Sequence, residues 1–280
     1  MILLVDIGNT HTHVGLGAGT RVVRAHDLPT REVLAGRMAG RLRGLYPGVS
    51  LAGAVMASVV PRATGPASRA VRQVVGRDPL LLSPRTLRGL AIDYPRPSSI
   101  GQDRLANALA ARRRFGAPVV VVDFGTAVTF DVVSEAGAYV GGIIAPGLAA
   151  MTDYLHEKTA LLPRIRVSEP RSAVGRSTRE AMLVGAVHGY RGLVRQLIGE
   201  LRAELGHPLL PVVATGGYAA LMARSLPEIG AVVPHLTLDG LRILWELHHP
   251  ASPGPGASRR RPASRRSRTS PARAARPKNP

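Results

Sequence analysis

Met1-Ile-Leu-Leu-Val-Asp6-Ile-Gly-Asn-Thr10 opens the chain, and Pro118-Val-Val-Val-Val-Asp123-Phe-Gly-Thr126 repeats its plan in mid-chain. Each is a short apolar run, an acid, a glycine and a hydroxyl. An apolar run of that length, bounded by a turn signal, reads as a strand buried on both faces. Glycine has no Cβ, so the turn that follows lets backbone N–H groups approach an anion closely, and Thr and Asn add donors. A carboxylate at the strand end can hold the metal ion that accompanies a polyphosphate. A lone Asp-x-Gly turn between strands is usually only a turn. Two of them, heading two similar halves, favour the polyphosphate reading.

Working outward, Val14-Gly-Leu-Gly17 and Arg21-Val-Val-Arg-Ala25 extend the first run into a meander across Gly-rich turns. Val128-Thr-Phe-Asp-Val-Val133 and Ala138-Tyr-Val-Gly-Gly-Ile-Ile-Ala145 do the same for the second. Further strands are expected at 51–60, ended by Pro61, and at 80–83 and 211–215. Helices are expected at 67–75, 101–114, 148–156, 178–204, 218–224 and 238–247, the second with apolar residues three and four apart. The expected class is α/β, with an N-terminal lobe at 1–115, a C-terminal lobe at 116–250 and a cleft between them. Beyond that, residues 251–280 are a Ser/Pro/Gly/Ala/Arg mixture with almost nothing apolar to bury, which predicts a disordered basic tail.

A third glycine cluster, Ala214-Thr-Gly-Gly217, follows a strand and opens a helix. There, small residues allow a flat base or a ribose to lie against backbone, and a plain strand-to-helix turn is the alternative. No Walker A pattern is present, nor a Gly-x-Gly-x-x-Gly between a strand and a helix, so phosphate has to be held in another way. His11 and His13 fall in the first turn, where they either touch phosphate or are hairpin surface; His248 and His249 border the tail.

Composition sets the outer limits. Apolar residues make up 45% of 280 and aromatics only 4%, which suits small aliphatic contacts in an α/β core. Nine of the 37 Lys and Arg lie beyond Pro250 with no acid among them, which leaves 28 basic against 18 acidic residues, a net +10, for the body. The body's arginines, as in Arg112-Arg113-Arg114, lack interleaved aromatics that stack bases, so nucleic acid is expected only as non-specific binding through the tail. The chain has no cysteine, which removes disulfides and thiolate chemistry and suits a reducing compartment. Without a signal-like leader or an unbroken apolar span, a cytoplasmic protein that does not enter a membrane is expected.

Two lobes, each headed by an Asp-Gly phosphate turn, resemble the acetate and sugar kinase, actin and chaperone superfamily, which implies actin-like (ribonuclease H-like) lobes. Tyr94-Pro-Arg-Pro-Ser-Ser-Ile-Gly101-Gln102-Asp103-Arg104-Leu-Ala-Asn107 narrows this further, because it resembles the Gly-x-Asp-Arg segment of type III pantothenate kinases. Read without that resemblance, Asp103 and Arg104 are an N-terminal charge and a salt-bridge partner at a helix start. The likeness runs from residue 1 to about 248. It includes Gly141-Gly-Ile-Ile-Ala-Pro-Gly147, Lys158-Thr-Ala-Leu-Leu-Pro163, Val174-Gly-Arg-Ser-Thr178 and Leu236-Thr-Leu-Asp-Gly-Leu-Arg242.

The resemblance implies transfer of the ATP γ-phosphoryl group to pantothenate, the first step of coenzyme A synthesis, with Asp103 as general base. It implies ATP contacts at Asp6, Ile7, Gly8, Asn9, Thr10, His11, Thr12, His13 and Thr126. Pantothenate contacts are implied at Tyr94, Gly101, Gln102, Asp103, Arg104 and Thr178. Mg²⁺ is implied near Asp6 through the phosphates, and a monovalent cation, K⁺ or NH₄⁺, at Asp123. A homodimer is also implied, its interface in the second half and Thr178 placed to reach a neighbouring site. Ser98-Ser99 and Val128 depart from the family pattern without touching these residues. An accessory regulator and a kinase for another small acceptor are the competing readings. The intact acids speak against the first, and the segment from Gly101 to Arg104 against the second.

Overall fold

The computed structural model describes residues 1–250, so the tail at 251–280 lies outside the described residues. Two sheets share one topology. In the first, β1 (Ile2–Ile7), β2 (His11–Ala18) and β3 (Arg21–Pro29) form an antiparallel meander. On the other side of β1, β4 (Gly53–Ser58) and then β5 (Leu80–Leu81) add in parallel, giving the order β3-β2-β1-β4-β5. In the second, β7 (Val119–Phe124), β8 (Ala127–Val133) and β9 (Ala138–Pro146) repeat the meander, and β10 (Val212–Thr215) and β11 (Ala231–Val232) repeat the parallel flank. One strand from the first half, β6 (Ala91–Ile92), pairs with β9 at the outer edge, giving β11-β10-β7-β8-β9-β6.

Every residue of β1 is buried, because helices cover both faces. Strand side chains alternate, so β1 feeds two cores at once. Leu3, Val5 and Ile7 pack outward with Val33 of α1 (Thr30–Leu34), Met38 and Leu42 of α2 (Met38–Leu45), and Ala63, Ala67 and Val71 of α3 (Pro61–Val75). Ile2 and Leu4 face inward, toward Leu105, Ala106 and Leu109 of α4 (Gln102–Phe115) and Leu241 and Leu244 of α9 (Leu236–His248). Likewise Val119 and Val121 of β7 join this inner core, while Val120, Val122 and Phe124 turn to Tyr190, Val194 and Ile198 of α7 (Tyr190–Glu204). Each such aliphatic side chain contributes about 1.5–3 kcal/mol on burial, and a one-residue slip would turn every one of them to the wrong face. The register that buries them therefore also fixes the direction of the acids. Asp6 follows Leu4, and Asp123 follows Val121, on the inward faces of their strands.

Between the sheets, α4 and α9 cross so closely that a Cβ on Gly240 would lie 2.1 Å from the Ala106 carbonyl oxygen. Thus the last helix packs on the first sheet, and β6 from the first half packs with the second. Among the described residues the remaining α-helices are α5 (Leu148–Lys158), α6 (Thr178–Val184) and α8 (Ala219–Ala223). The stretch 178–204, expected as one helix, is divided by a π turn at Gly185–Gly189. Helix α3 begins at Pro61 rather than 67, since proline at the first helical position gives up only an N–H that has no partner there. Strand β4 occupies Gly53–Ser58, shorter than the expected 51–60. The helices α1 and α2 and the strands β6 and β11 were not expected; two-residue strands carry no periodicity to read. Among the described residues, no helix is long and apolar enough to cross a membrane.

Candidate active site

The two glycine turns are tight hairpins. In the first, Gly8 N–H donates to the His11 carbonyl at 2.9 Å, and a Cβ at Gly8 would meet that same oxygen. Thr30 fastens the hairpin from behind. Its N–H donates to the Thr10 carbonyl at 3.0 Å, its hydroxyl donates to the Gly8 carbonyl at 2.7 Å, and the Thr12 hydroxyl lies 3.0 Å from it. In the second, Gly125 N–H donates to the Ala127 carbonyl at 3.1 Å. Behind it Gly147, which caps α5, fits so closely that a Cβ there would lie 2.1 Å from the Thr126 carbonyl oxygen. The start of an eleven-residue helix therefore abuts this turn, and its unpaired N–H groups and dipole favour an anion.

Around these turns the predicted residues sort by burial. Asn9, Thr10, His11, Gly125 and Thr126 are exposed, whereas the Ile7 and Thr12 side chains are buried, leaving only backbone to meet a ligand there. His13 is part-exposed, with Nδ1 2.6 Å from Asp27 Oδ1. Gly101 precedes α4, and a Cβ on it would come 2.5 Å from Asp103 Oδ1, so glycine leaves room for that carboxylate. The Asp103 carboxylate accepts the Arg104 N–H at 2.8 Å, and Gln102 Oε1 accepts the Ser58 N–H at 2.9 Å, tying α4 to the end of β4. Tyr94 is exposed and sets its edge toward Tyr139, ring centroids 6.2 Å apart. Thr178 stands apart: it opens α6 on the surface, beside the Ser177–Glu180 cap, with no side-chain hydrogen bond to these groups.

Asp6, Asp103 and Asp123 interact electrostatically. Burial, and after it the neighbouring Asp103, pushes the Asp6 carboxyl up to about 7, with His13 pulling it down and Asp123 adding to the rise. Burial likewise lifts Asp123 to about 6, against a hydrogen bond from Asn107 and with a further push from Asp103. Asp103 is also raised, by burial, against the Arg104 N–H and charge. Such a clustering of acids calls for cations. The buried Asp6 Oδ1 has no hydrogen-bond partner, which fits a carboxylate waiting for a metal or its water. Among the described residues no three acidic or imidazole groups enclose a metal by themselves, so a cation here would take its other ligands from phosphate and water.

Three further residues escaped the sequence reading. Asn107, one turn beyond Asp103, donates to Asp123 Oδ2 at 2.9 Å and accepts from the Thr237 hydroxyl of α9 at 2.8 Å. Asp131, fully buried, pairs with Arg104 Nε at 2.6 Å; an acid inside the apolar run 128–133 was the signal for it. Burial raises the Asp131 carboxyl, and Arg104 opposes the rise. For Thr30 there was no local signal. Gly216 lies against Asp123, since a Cβ there would meet Asp123 Oδ1 at 2.5 Å, which places the third glycine cluster beside the second acid.

The model of the type III pantothenate kinase family matches residues 2–200. The chain belongs to the type III pantothenate kinase family. The type III pantothenate kinase of Akkermansia muciniphila is 48% identical to it over 243 residues, covering 86% of this chain and 96% of that one. A solved Campylobacter jejuni protein described as a Baf family transcriptional activator has a TM-score of 0.58 at 19% identity, covering 88% of this chain and 98% of that one. The Streptomyces griseus ROK family glucokinase, solved with glucose and AMPPNP, has a TM-score of 0.51 at 14% identity, covering 87% and 98%. At these identities the two structures speak for the fold alone. This member of the pantothenate kinase family has the actin-like fold with two sheets, and Asp6 and Asp123 head equivalent hairpins.

Proposed function

We propose that this chain transfers the γ-phosphoryl group of ATP to the primary hydroxyl of pantothenate, giving 4′-phosphopantothenate and ADP. The observation that carries this reading is the grouping of Asp6, Asp103 and Asp123 beside two touching glycine hairpins, in a chain of this family. Phosphoryl transfer needs little covalent chemistry from the protein, so positioning and charge are the main requirements. The exposed Asn9, Thr10 and Thr126, through backbone N–H groups and polar side chains, with His11 and His13 beside them, hold the phosphates around the turn that Gly8 closes. Asp103 takes the proton of the acceptor hydroxyl as its oxygen bonds to the γ-phosphorus and the β–γ bridging oxygen leaves with ADP.

Mg²⁺ held near Asp6 and K⁺ or NH₄⁺ at Asp123 would neutralise the phosphate oxygens when bound. Tyr94, Gly101, Gln102 and Arg104 shape the acceptor site. Thr178 lies away from these groups in one subunit, and its part in the acceptor site is assigned across a homodimer. We place the enzyme in the cytoplasm. The test is a coupled assay of ADP release with ATP, Mg²⁺ and pantothenate, with K⁺ replaced by Na⁺ in parallel. Mass spectrometry should find a phosphorylated pantothenate, and turnover should collapse on chelation and fall in Na⁺. No product under the full conditions would refute the assignment.

A further inference from the structure

Arg104 is 14% exposed, and its charge is met almost entirely from strands of the second sheet. Nε donates to Asp131 Oδ1 at 2.6 Å, and Nη2 donates to the Phe130 carbonyl at 3.1 Å, both on β8. The guanidinium carbon lies 5.8 Å from the centroid of the Tyr139 ring on β9. Asp131, with no exposure, is itself held by the Tyr139 hydroxyl at 3.3 Å and the Thr129 hydroxyl at 3.4 Å. Gly142 leaves the space, since a Cβ there would lie 2.8 Å from Arg104 Nη2. A guanidinium has five N–H donors in a rigid fork, so these contacts fix its plane and leave the remaining donors for a ligand.

We propose that Asp131 is a positioning residue, which acts through Arg104 to set the enzyme's grip on the acceptor. A buried ion pair is a poor source of stability, because desolvation offsets its attraction, so the arrangement is better explained by placement of the arginine. It also spans the lobes: Arg104 rides on α4 next to Asp103, while its anchor belongs to the sheet headed by Asp123. The proposal rests on the assignment of Arg104 to the acceptor site, and the experiment separates the two.

Steady-state kinetics would compare Asp131→Asn, Arg104→Met and the double variant, with pantothenate and ATP varied in turn. Asp131→Asn should raise KM for pantothenate about tenfold or more, as loss of a charge-assisted hydrogen bond does, with KM for ATP unchanged. In the Arg104→Met background the same substitution should add nothing, because its effect passes through the arginine. A purely structural role would instead lower kcat and disturb both KM values together, and would add its full effect in the double variant; that result overturns the proposal. An effect of Arg104→Met with none from Asp131→Asn overturns it alone, whereas parent kinetics in Arg104→Met removes the assignment of Arg104 as well. Should Asp131→Asn not fold, Tyr139→Phe removes only a hydroxyl donated to Asp131. It should raise KM for pantothenate about threefold, and no change there overturns the proposal.

Discussion

The hydroxyl oxygens of Thr10 and Thr126 lie 3.2 Å apart, although 116 residues separate them in the sequence. Each sits at the tip of the hairpin that follows an inward-facing acid, so the tips meet and the two glycine turns form one surface. Neither hydroxyl is buried, so either can exchange this contact for one with a ligand.

Gly147→Ala should damage that surface without unfolding the chain. The new Cβ would sit 2.1 Å from the Thr126 carbonyl oxygen and 2.7 Å from that of Gly125, both backbone atoms, so the second hairpin has to shift. Misplacement of about 1 Å at a reacting centre costs on the order of a hundredfold. Turnover should fall by about tenfold to a hundredfold, with KM for ATP raised and the circular dichroism spectrum kept. Parent kinetics would show that the turn has no part in ATP handling.

Asp103→Asn should retain the fold and ATP binding but lose at least about a hundredfold in kcat, the usual contribution of a general base. Asparagine keeps the shape and can still accept the Arg104 N–H that Asp103 Oδ1 accepts at 2.8 Å. Titration calorimetry with ATP should give the parent Kd, and a rate within threefold of the parent would remove Asp103 from the chemistry.

The repeated plan of strand, acid and glycine turn was legible, but not the face on which Asp6 and Asp123 lie, because a strand buried on both faces carries no alternation to read. The pairing of the two halves followed from the same repeat. Asp103 could be singled out only by resemblance, since an acid in the first turn of a helix is ordinary. An acid inside an apolar run marked Asp131, but the partners of the clamps were illegible for a different reason. Thr30 binds Gly8 and Thr10, Asn107 bridges Asp123 and Thr237, and Asp131 meets Arg104, all partners brought together by folding rather than by spacing.

Asp6→Asn should stabilise the metal-free protein at alkaline pH while abolishing turnover. Burial raises the Asp6 carboxyl to about 7 in the folded state, against an ordinary value of 3.8. Between those values the folded chain holds a proton that the unfolded chain has lost, so stability falls as pH rises through this window and stays reduced above it. Asparagine carries no charge to desolvate. In calorimetric scans its Tm should exceed the parent's by at least about 2 °C at pH 8, with the gap closing by pH 4. An equal or lower Tm at pH 8 would show that the Asp6 charge is well compensated without cations.

Gly240→Ala tests whether the crossing of α4 and α9 supports the chemistry as well as the fold. Its Cβ would approach the Ala106 carbonyl oxygen to 2.1 Å and the Ala106 carbonyl carbon to 2.6 Å, and helix backbone cannot swing aside as a side chain can. Overpacking of this kind costs about 1–3 kcal/mol, so the urea midpoint should fall with the slope unchanged. Relief requires α4 to move, and α4 carries Asp103, Arg104 and Asn107, the last tied both to Asp123 and to Thr237 on α9. A lower kcat should therefore accompany the lower stability under conditions where the variant remains fully folded. A destabilised variant with parent kcat would mean that α9 alone yields, and that the inner helix pair does not set the position of Asp103.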